Sequence, residues 1–389
     1  MIDLNELKRL QIKFMIVMMT MYCLSYAIWV SSINLFQHYV TDHGLASAVY
    51  YDRTIFSIRI MILVIGLNLL AKFQNQNYQR ILMLILVIAT LLLPVSLKTY
   101  PLLAGFNDTI TELGKAWFQL YVPPAFRATL AGLLTSFTGL IKIRSTTATQ
   151  YWEQAIIHKY ILASILTILL FFFWKFTLKL QKIEQEHHPS VTKHAPDNIV
   201  KLLRKNPYIF ITCFVFGFNN GIFYYTFLLG AAALPDKAPE VYQYIMYAGS
   251  ILGPVVIGRF ADKFGIALIS MYVIALITFC KFLNFSLAFT EITTSHYFYI
   301  VAFIEAAFAA SLSSLNVSIV GERLRNRGIF RSFAISTIIY SLGALLYGRV
   351  YLKFSDSFVS GQLVIGVINI FFFILLCFFY KRSPRVRAN

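Results

Sequence analysis

Charged residues are scarce in this chain. Asp, Glu, Lys and Arg together make up 13% of its 389 residues, whereas hydrophobic residues make up 58%. Soluble domains carry about 25% charged residues, because water must solvate their surface. The scarcity of charge therefore excludes a soluble globular protein and predicts a polytopic membrane protein.

Catalytic and metal-binding motifs are missing as well. The sequence has no HExxH zinc motif, no P-loop and no nucleophile elbow, so it offers neither a known hydrolytic centre nor an ATP-driven pump. The four cysteines lie in apolar runs without metal-ligand spacing, which also speaks against a disulfide framework. They are Cys23, Cys213, Cys280 and Cys377. We expect no enzyme, no cofactor and no metal centre.

Acidic residues are the scarcer of the two charge types. There are 34 Lys and Arg residues against 17 Asp and Glu residues, which gives a formal net charge of +17. A nucleic-acid partner would be one explanation of this excess. The basic residues lie in short connections between apolar runs, however, as they do in cytoplasmic loops. We therefore expect no nucleic-acid partner, and the expected surrounding is the lipid bilayer.

Long apolar runs are what the sequence does contain. Twelve of them are long enough to cross about 30 Å of hydrocarbon. The predicted spans cover about residues 12–36, 50–71, 80–97, 101–122, 128–144, 158–178, 207–231, 240–258, 266–289, 297–320, 332–352 and 361–380. One long polar connection separates six spans from six. The predicted domains are an N-terminal six-helix bundle at 1–178, a cytoplasmic linker at 179–206 and a C-terminal six-helix bundle at 207–389.

The distribution of Lys and Arg predicts the orientation in the membrane. Alternate connections, counted from an N-terminus on the inside, hold most of the basic residues. This inside set includes Lys72, Arg80, Arg127, Lys201, Arg204, Lys205, Arg259, Lys263, Arg323, Arg325, Arg327, Arg331 and the C-terminal tail. The outside set has scattered residues such as Arg53, Lys98, Lys237 and Lys353. We expect a multi-pass protein of the plasma (inner) membrane with both termini in the cytoplasm.

The two sequence halves share a weak repeat. Phe126-Arg127 opens the fifth span, and Gly139 follows twelve residues after the arginine. Phe330-Arg331 opens the eleventh span, and Gly343 follows at the same distance. Such a repeat is expected of two parallel six-span bundles, with coincidence in apolar sequence as the alternative.

A short polar turn, Gly258-Arg259-Phe260-Ala261-Asp262-Lys263-Phe264-Gly265, joins the eighth and ninth spans. It resembles the cytoplasmic loop signature of the major facilitator superfamily, Gly-x-x-x-Asp-Arg/Lys-x-Gly, at Gly258, Asp262, Lys263 and Gly265. The glycine-rich run at 249–254 fits the helix that leads into that loop, since small residues four apart let helix backbones approach.

Other positions depart from the family pattern. Ile266 and Ala267 replace the basic residues that follow the signature. The corresponding loop of the first half has Lys72 and no aspartate, and the fifth span lacks the proline of the drug antiporters. The resemblance therefore covers nearly the whole chain in architecture, whereas its strong motif is confined to one loop.

The resemblance implies an all-α membrane protein with twelve transmembrane helices in two pseudo-symmetric six-helix bundles. It implies a secondary transporter in which spans one, four, seven and ten line a central cavity. It also implies that Asp262 acts as a conformational latch facing the start of the fifth span, near Arg127–Thr129, because carboxylates are favoured at helix N-termini. The expected latch residues are Gly258, Asp262, Lys263, Gly265 and Arg127.

Three ionisable residues recur along the fourth span. Asp108, Glu112 and Lys115 stand at i, i+4 and i+7, so they share one helical face over roughly 10 Å of depth. Charges at that depth indicate a solute or proton path. A mis-drawn external loop and an internal Glu112–Lys115 ion pair are the alternatives. Because Lys115 would hold Glu112 ionised, Asp108 is the better proton carrier, and Glu112 is a structural partner or a residue that binds and orients the solute.

Glu305 is a lone acid in the tenth span, with small neighbours. Loss of water favours the protonated form of a carboxylate, so such a group can carry protons near neutral pH. We expect proton coupling at Asp108 and Glu305. The alternative for Glu305 is a basic partner on a neighbouring helix.

Five further residues are candidates for solute contact. Arg59 lies inside the second span, where it pairs with an acid or binds an anionic solute. Asn219 and Asn220, flanked by glycines, predict a locally loosened seventh span, or polar contacts between packed helices. Tyr26 and Tyr224 supply hydroxyls at membrane depth, although packing is the commoner role of such aromatic residues.

These residues predict a proton-coupled symporter or antiporter that moves a small polar organic solute by alternating access, acting as a monomer. The excess of acids over bases among the predicted cavity residues favours a cationic or zwitterionic solute. The basic residues Arg59 and Lys115 leave an organic anion as an alternative solute. The alternatives are a multidrug or siderophore/metabolite exporter of the same fold and, more remotely, a membrane enzyme or receptor-like scaffold.

Overall fold

A computed structural model describes residues 4–43, 54, 57–64, 76–96, 99–148, 152–187, 199–232, 239–289, 296–324, 329–354 and 358–382. Nearly all of these residues are helical, and none of them forms a strand. The helices are α1 (Leu4–His43), α2 (described at 57–64), α3 (Gln76–Leu92), α4 (Tyr100–Tyr121), α5 (Arg127–Ala148), α6 (Trp152–His187), α7 (Ile199–Lys205), α8 (Pro207–Ala232), α9 (Pro239–Phe264), α10 (Ile266–Phe289), α11 (His296–Leu324), α12 (Ile329–Lys353) and α13 (Phe358–Arg382).

Seven helices in the described part of the chain are long and apolar enough to cross a membrane. They are α1, α6, α9, α10, α11, α12 and α13, and α3 is a shorter apolar helix. The protein is thus a multi-pass membrane protein, and the all-α class predicted from the sequence is confirmed. Helix α4 has a sufficient length of 22 residues but carries three ionisable side chains.

Several helices extend beyond the spans predicted from hydropathy, α1 and α6 furthest. Helix α1 begins at Leu4, whereas its apolar run begins near residue 12. Helix α6 ends at His187, whereas its apolar run ends near residue 178. Lys, Glu and Gln are favourable helix formers, so a helix continues where the hydrocarbon stops. Part of the predicted linker is therefore helical in α6 and α7, and residues 188–198 lie outside the described part.

The chain divides into two compact units. Unit 1 comprises Met1–Pro124, Leu140–Asp197 and Val320–Thr337, and unit 2 comprises Ala125–Gly139, Asn198–Ile319 and Ile338–Asn389. Helices α5 and α12 contribute residues to both units. The predicted domains at 1–178, 179–206 and 207–389 follow the order of the sequence instead, and they stay a prediction.

Unit 1 is built around α4. The ring of Trp117, fully buried, makes edge contacts with Phe173 of α6 and Phe330 of α12 at centroid distances of 5.3 and 4.9 Å. The guanidinium carbon of Arg80, at the start of α3, lies 5.4 Å from the centre of the Trp117 ring. Edge-to-face rings and a stacked cation are favourable geometries for aromatic side chains. They fix α4 among its neighbouring segments.

In unit 2, glycines bring α9 close to two other helices. A Cβ atom on Gly249 or Gly253 would collide with the backbone of α11. On α5, a Cβ on Gly132 would collide with the backbone of Pro254, and Ser136 Oγ donates a 2.5 Å hydrogen bond to the carbonyl of Ile251. Pro254 lacks an N–H, so this stretch of α9 has a weakened internal ladder. Small residues therefore set the packing of α9, as is usual in membranes.

Each of the two glycines of the sequence repeat lies against a neighbouring helix. A Cβ on Gly139 of α5 would collide with Ser250 and Ile251 of α9. A Cβ on Gly343 of α12 would collide with the carbonyl of Phe214 on α8. Both positions thus allow a close helix contact within unit 2, but the helices they meet, the eighth and the seventh spans, do not correspond in the predicted repeat. The repeat stays a prediction.

Candidate functional site

The ionisable stripe of the fourth span lies on a continuous helix, α4. The side chains of Asp108, Glu112 and Lys115 are 23%, 12% and 11% exposed. This excludes the alternative of a mis-drawn external loop. The charges are therefore held in a largely buried position on α4, where they need partners.

Asp108 is paired with Arg59 of α2. Nη1 of Arg59 lies 2.6 Å from Oδ2 of Asp108, and the arginine side chain is 4% exposed. Arg59 was expected either to pair with an acid or to bind an anionic solute, and in the structure it pairs with an acid. Arginine cannot lose its proton in a protein, so the cationic side of this pair is permanent.

Glu112 is held by two donors. Lys115 Nζ lies 2.5 Å from Oε1, and Thr337 Oγ1 of α12 donates to Oε2 at 3.2 Å. The ammonium of Lys115 also lies 6.0 Å from the ring centre of Tyr22. The internal Glu112–Lys115 pair that sequence analysis had as an alternative is thus present, and each Glu112 oxygen has a donor.

One member of this site, Thr337, was missed from the sequence. Thr337 is separated from Glu112 by 225 positions, so no local pattern indicates the contact. Tyr22 lies one turn before the predicted Tyr26, which is half-buried on α1. Tyr224 lies on α8, and its side chain is outside the described part of the structure. We name Arg59, Asp108, Glu112, Lys115, Tyr22 and Thr337 the α4 charge cluster.

Glu305 is not a lone acid. Its Oε1 lies 2.5 Å from Nζ of Lys281 on α10, and Asn284 Nδ2 donates to Oε2 at 2.6 Å. The lysine and the glutamate are 0% and 1% exposed. The expectation of an unpaired carboxylate is therefore wrong, because a single lysine in the apolar run of the ninth span supplies its counter-charge.

Lys281 also changes the balance of charge among the site candidates. Asp108, Glu112 and Glu305 are matched by Arg59, Lys115 and Lys281. Acids no longer outnumber bases, so the argument for a cationic solute loses its premise.

The amides of the seventh span have a structural contact. Helix α8 is uninterrupted from Pro207 to Ala232, so the predicted loosening at this point is wrong. Asn219, fully buried, donates to the carbonyl of Val215 at 3.0 Å and accepts a 2.7 Å bond from Asn369 Nδ2 of α13. This is the polar helix–helix contact that stood as the alternative. Asn220 is half-buried beside it.

The contact predicted for Asp262 is confirmed. Its carboxylate accepts the backbone N–H groups of Ala128 and Thr129 at 2.9 and 2.8 Å, and the Thr129 hydroxyl at 2.6 Å. Helix α5 begins at Arg127, so these N–H groups have no intrahelical acceptors. A carboxylate of α9 thereby caps α5, within unit 2.

The predicted turn at 258–264 is wrong, because these residues are the last two turns of helix α9, which ends at Phe264. Neighbouring residues of this stretch explain how Asp262 reaches α5. A Cβ on Gly258 would collide with the carbonyl of Ala128, so glycine permits the approach of the helices. Gly265 has φ of +98° and separates α9 from α10, a conformation that favours glycine. Arg127 is buried and Lys263 is exposed.

The helices of the described part of the chain define an all-α, multi-pass membrane protein. Its fold is that of the major facilitator superfamily, which confirms the resemblance seen in the sequence. The structure is similar to that of the proton:xylose symporter XylE, with a TM-score of 0.69 and 12% identity over 97% of this chain and 96% of that one.

Two further solved structures share the fold. The human organic anion transporter MFSD10 (TETRAN) gives a TM-score of 0.62 and 12% identity over 94% of this chain and 99% of its own. A bacterial homologue of the iron transporter ferroportin, in an outward-facing state, gives a TM-score of 0.62 and 10% identity over 95% of this chain and 99% of its own. No protein-family model and no curated protein sequence matches the chain. At these identities the likeness establishes the fold.

Proposed function

We propose that the chain is a secondary transporter that moves a small polar organic solute by alternating access, with the α4 charge cluster as its solute site. The observation that carries this proposal is the placement of four ionisable side chains, in two short and largely buried ion pairs, on α2 and α4. Buried ion pairs add little net stability, whereas ionisable residues inside a membrane commonly serve a solute path. The proteins of similar fold are described as transporters of chemically different solutes, so the fold does not name the solute.

The chemistry of the cluster fits a solute with a carboxylate, either an organic acid or a zwitterion. Arg59 presents a planar set of donors suited to two carboxylate oxygens, and Lys115 presents three donors. Asp108 and Glu112 occupy those donors in the structure. A solute carboxylate competes with them for the same cations, and a solute ammonium group fits the acids that are released.

Proton coupling at Asp108 follows from its partner. When Asp108 takes up a proton, Arg59 keeps its charge and loses its counter-ion. A solute carboxylate then restores neutrality at Arg59, so binding of the proton and of the anion favour each other. Each transport cycle of this kind carries one proton with each carboxylate.

Glu305 is the second proposed proton carrier. A proton that Glu305 takes up from one side of the membrane breaks its ion pair with Lys281. The pair forms again when Glu305 releases that proton on the other side, so one proton crosses in each cycle.

The test begins with the solute. Organic acids and zwitterions are screened by thermal shift on the purified protein, since a ligand that binds the folded state raises its apparent stability. Uptake is then measured in proteoliposomes with an imposed pH gradient. Asp108→Asn should abolish uphill accumulation and spare solute exchange. Glu6→Gln removes an exposed carboxylate, whose side chain is 57% exposed, and serves as the matched control. Full proton-driven accumulation by Asp108→Asn would refute the coupling.

We also propose that the Asp262 contact with α5 is a latch between conformations. It joins α9 to the helix that begins at Arg127, and it consists of bonds that a shift of either helix by a few ångströms would break. We further propose that the transporter is a monomer and that both of its termini lie in the cytoplasm.

A further inference from the structure

We propose that the C-terminal end of α9, together with Phe126 just before α5, binds the headgroup of an anionic phospholipid. Two basic side chains and three phenyl rings are exposed there, all within unit 2: Arg259, Lys263, Phe126, Phe260 and Phe264. We name this set the basic aromatic patch. The inference concerns the membrane partner of the protein, and it is independent of the identity of the solute.

The charge of the patch favours an anion. Asp262 is the one acidic residue in the stretches 123–131 and 255–269, and its oxygens already accept bonds from Ala128 and Thr129. Arg259 and Lys263 stand four residues apart on α9, so their side chains share one helix face. Each basic residue at an anionic membrane surface strengthens binding roughly fivefold.

The rings place these cations at the boundary between acyl chains and headgroups. The side chains of Phe126, Phe260 and Phe264 are 50%, 48% and 52% exposed. The Arg259 guanidinium carbon lies 5.9 Å from the ring centre of Phe126, and Lys263 Nζ lies 5.2 Å from that of Phe264. Phe260 and Phe264 stack with centroids 6.1 Å apart. Exposed rings beside basic side chains are suited to the membrane interface, where the rings contact acyl chains and the cations contact phosphates.

The partner is an anionic lipid rather than a soluble anion because of the rings. A soluble phosphate would use the two cations and leave three half-exposed phenyl rings in water. A phospholipid satisfies both, with its phosphate and glycerol near Arg259 and Lys263 and its chains against the rings. Zwitterionic lipid has the same chains but no net charge, so it is the natural comparison.

The test uses the full-length protein, purified from a mixture of phosphatidylglycerol and phosphatidylcholine and examined by native mass spectrometry. Wild-type protein should retain phosphatidylglycerol in preference to phosphatidylcholine. The double variant Arg259→Gln, Lys263→Gln should lower that preference roughly tenfold or more, because two cations are lost. The double variant Lys201→Gln, Arg204→Gln removes two exposed cations from α7 and should leave the preference unchanged.

Two results would overturn the proposal. One is unchanged retention after removal of Arg259 and Lys263, and the other is an equal loss in the α7 variant, which would indicate charge attraction without a site. If the first double variant does not fold, the double variant Phe126→Ala, Phe260→Ala keeps every charge. Reduced retention of phosphatidylglycerol by it supports the site, and unchanged retention refutes it.

Discussion

Asp262 and Thr129 share two hydrogen bonds, one to the backbone N–H and one to the hydroxyl, at 2.8 and 2.6 Å. The capping of α5 therefore comes from a side chain 133 positions away along the chain. Ordinary N-caps are local, and the residue before α5 is Phe126, which has no acceptor side chain. The start of α5 consequently depends on the position of α9.

Removal of the carboxylate should therefore loosen α5. Loss of an N-cap costs about 1–2 kcal/mol, so Asp262→Ala should lower the thermal stability of the purified protein and change the solvent accessibility of cysteines placed along α5. Thr129→Val keeps the backbone bond and should have a smaller effect. Thr135→Val is the matched control, because the Thr135 hydroxyl bonds to the Ala131 carbonyl of its own helix. Equal effects at 129 and 135 would refute the capping account.

The Lys281–Glu305 pair makes a prediction about stability. Glu305→Gln should destabilise the protein by about 3–5 kcal/mol, because Lys281 would stay buried without a counter-charge. The double variant Lys281→Met, Glu305→Gln removes both charges and should recover most of the loss. Thermal unfolding of the three proteins measures this directly. A double variant as unstable as the single one would mean that the ion pair is not the cause.

The same double variant separates structure from transport. Once a stable protein without the pair is in hand, its proton-driven accumulation of solute is measured in proteoliposomes. Loss of accumulation with solute exchange preserved would support a proton-carrying role for Glu305. Full accumulation would leave the pair as a purely structural element.

How far the sequence predicts this site depends on the distance between partners. The stripe of Asp108, Glu112 and Lys115 was predicted because helical spacing alone places those residues on one face. Lys281 was missed because it is a single lysine in an apolar run. No local sequence pattern indicates that Glu305, on another helix, is its partner. The capping by Asp262 was predicted through the family motif, since the residues around 127 contain no pattern that indicates capping by a distant carboxylate.

Secondary structure shows a similar division. Hydropathy located the described membrane helices but not the ends of α1 and α6, which continue through polar residues that favour helix. The glycines around Asn219 suggested a break in α8. They instead allow close packing, since a Cβ on Gly217 would collide with the backbone of Tyr340. In a membrane, a break would leave backbone groups without partners, which disfavours it.

Gly132 provides a test of the α5–α9 contact. Gly132→Ala would place a Cβ against the carbonyl of Pro254, where backbone atoms on both sides would have to move. We expect a loss of thermal stability and of transport, although alanine is the better helix former. Gly361→Ala on α13 is the control, since a Cβ there meets its nearest neighbour at 3.8 Å. It should be neutral or slightly stabilising, and equal destabilisation by both changes would refute the packing account.

The predicted orientation can be tested at the ends of two helices. Lys182 lies near the end of α6 and Lys353 ends α12, and both side chains are exposed. The excess of Lys and Arg in alternate connections places Lys182 inside and Lys353 outside. A cysteine at each position, in a background without the four native cysteines, is labelled with a membrane-impermeant maleimide in intact cells. Labelling at 353 and protection at 182 until the membrane is opened is the expected result. The reverse pattern would invert the orientation, and labelling of both in intact cells would refute the assignment of these two helix ends to opposite faces.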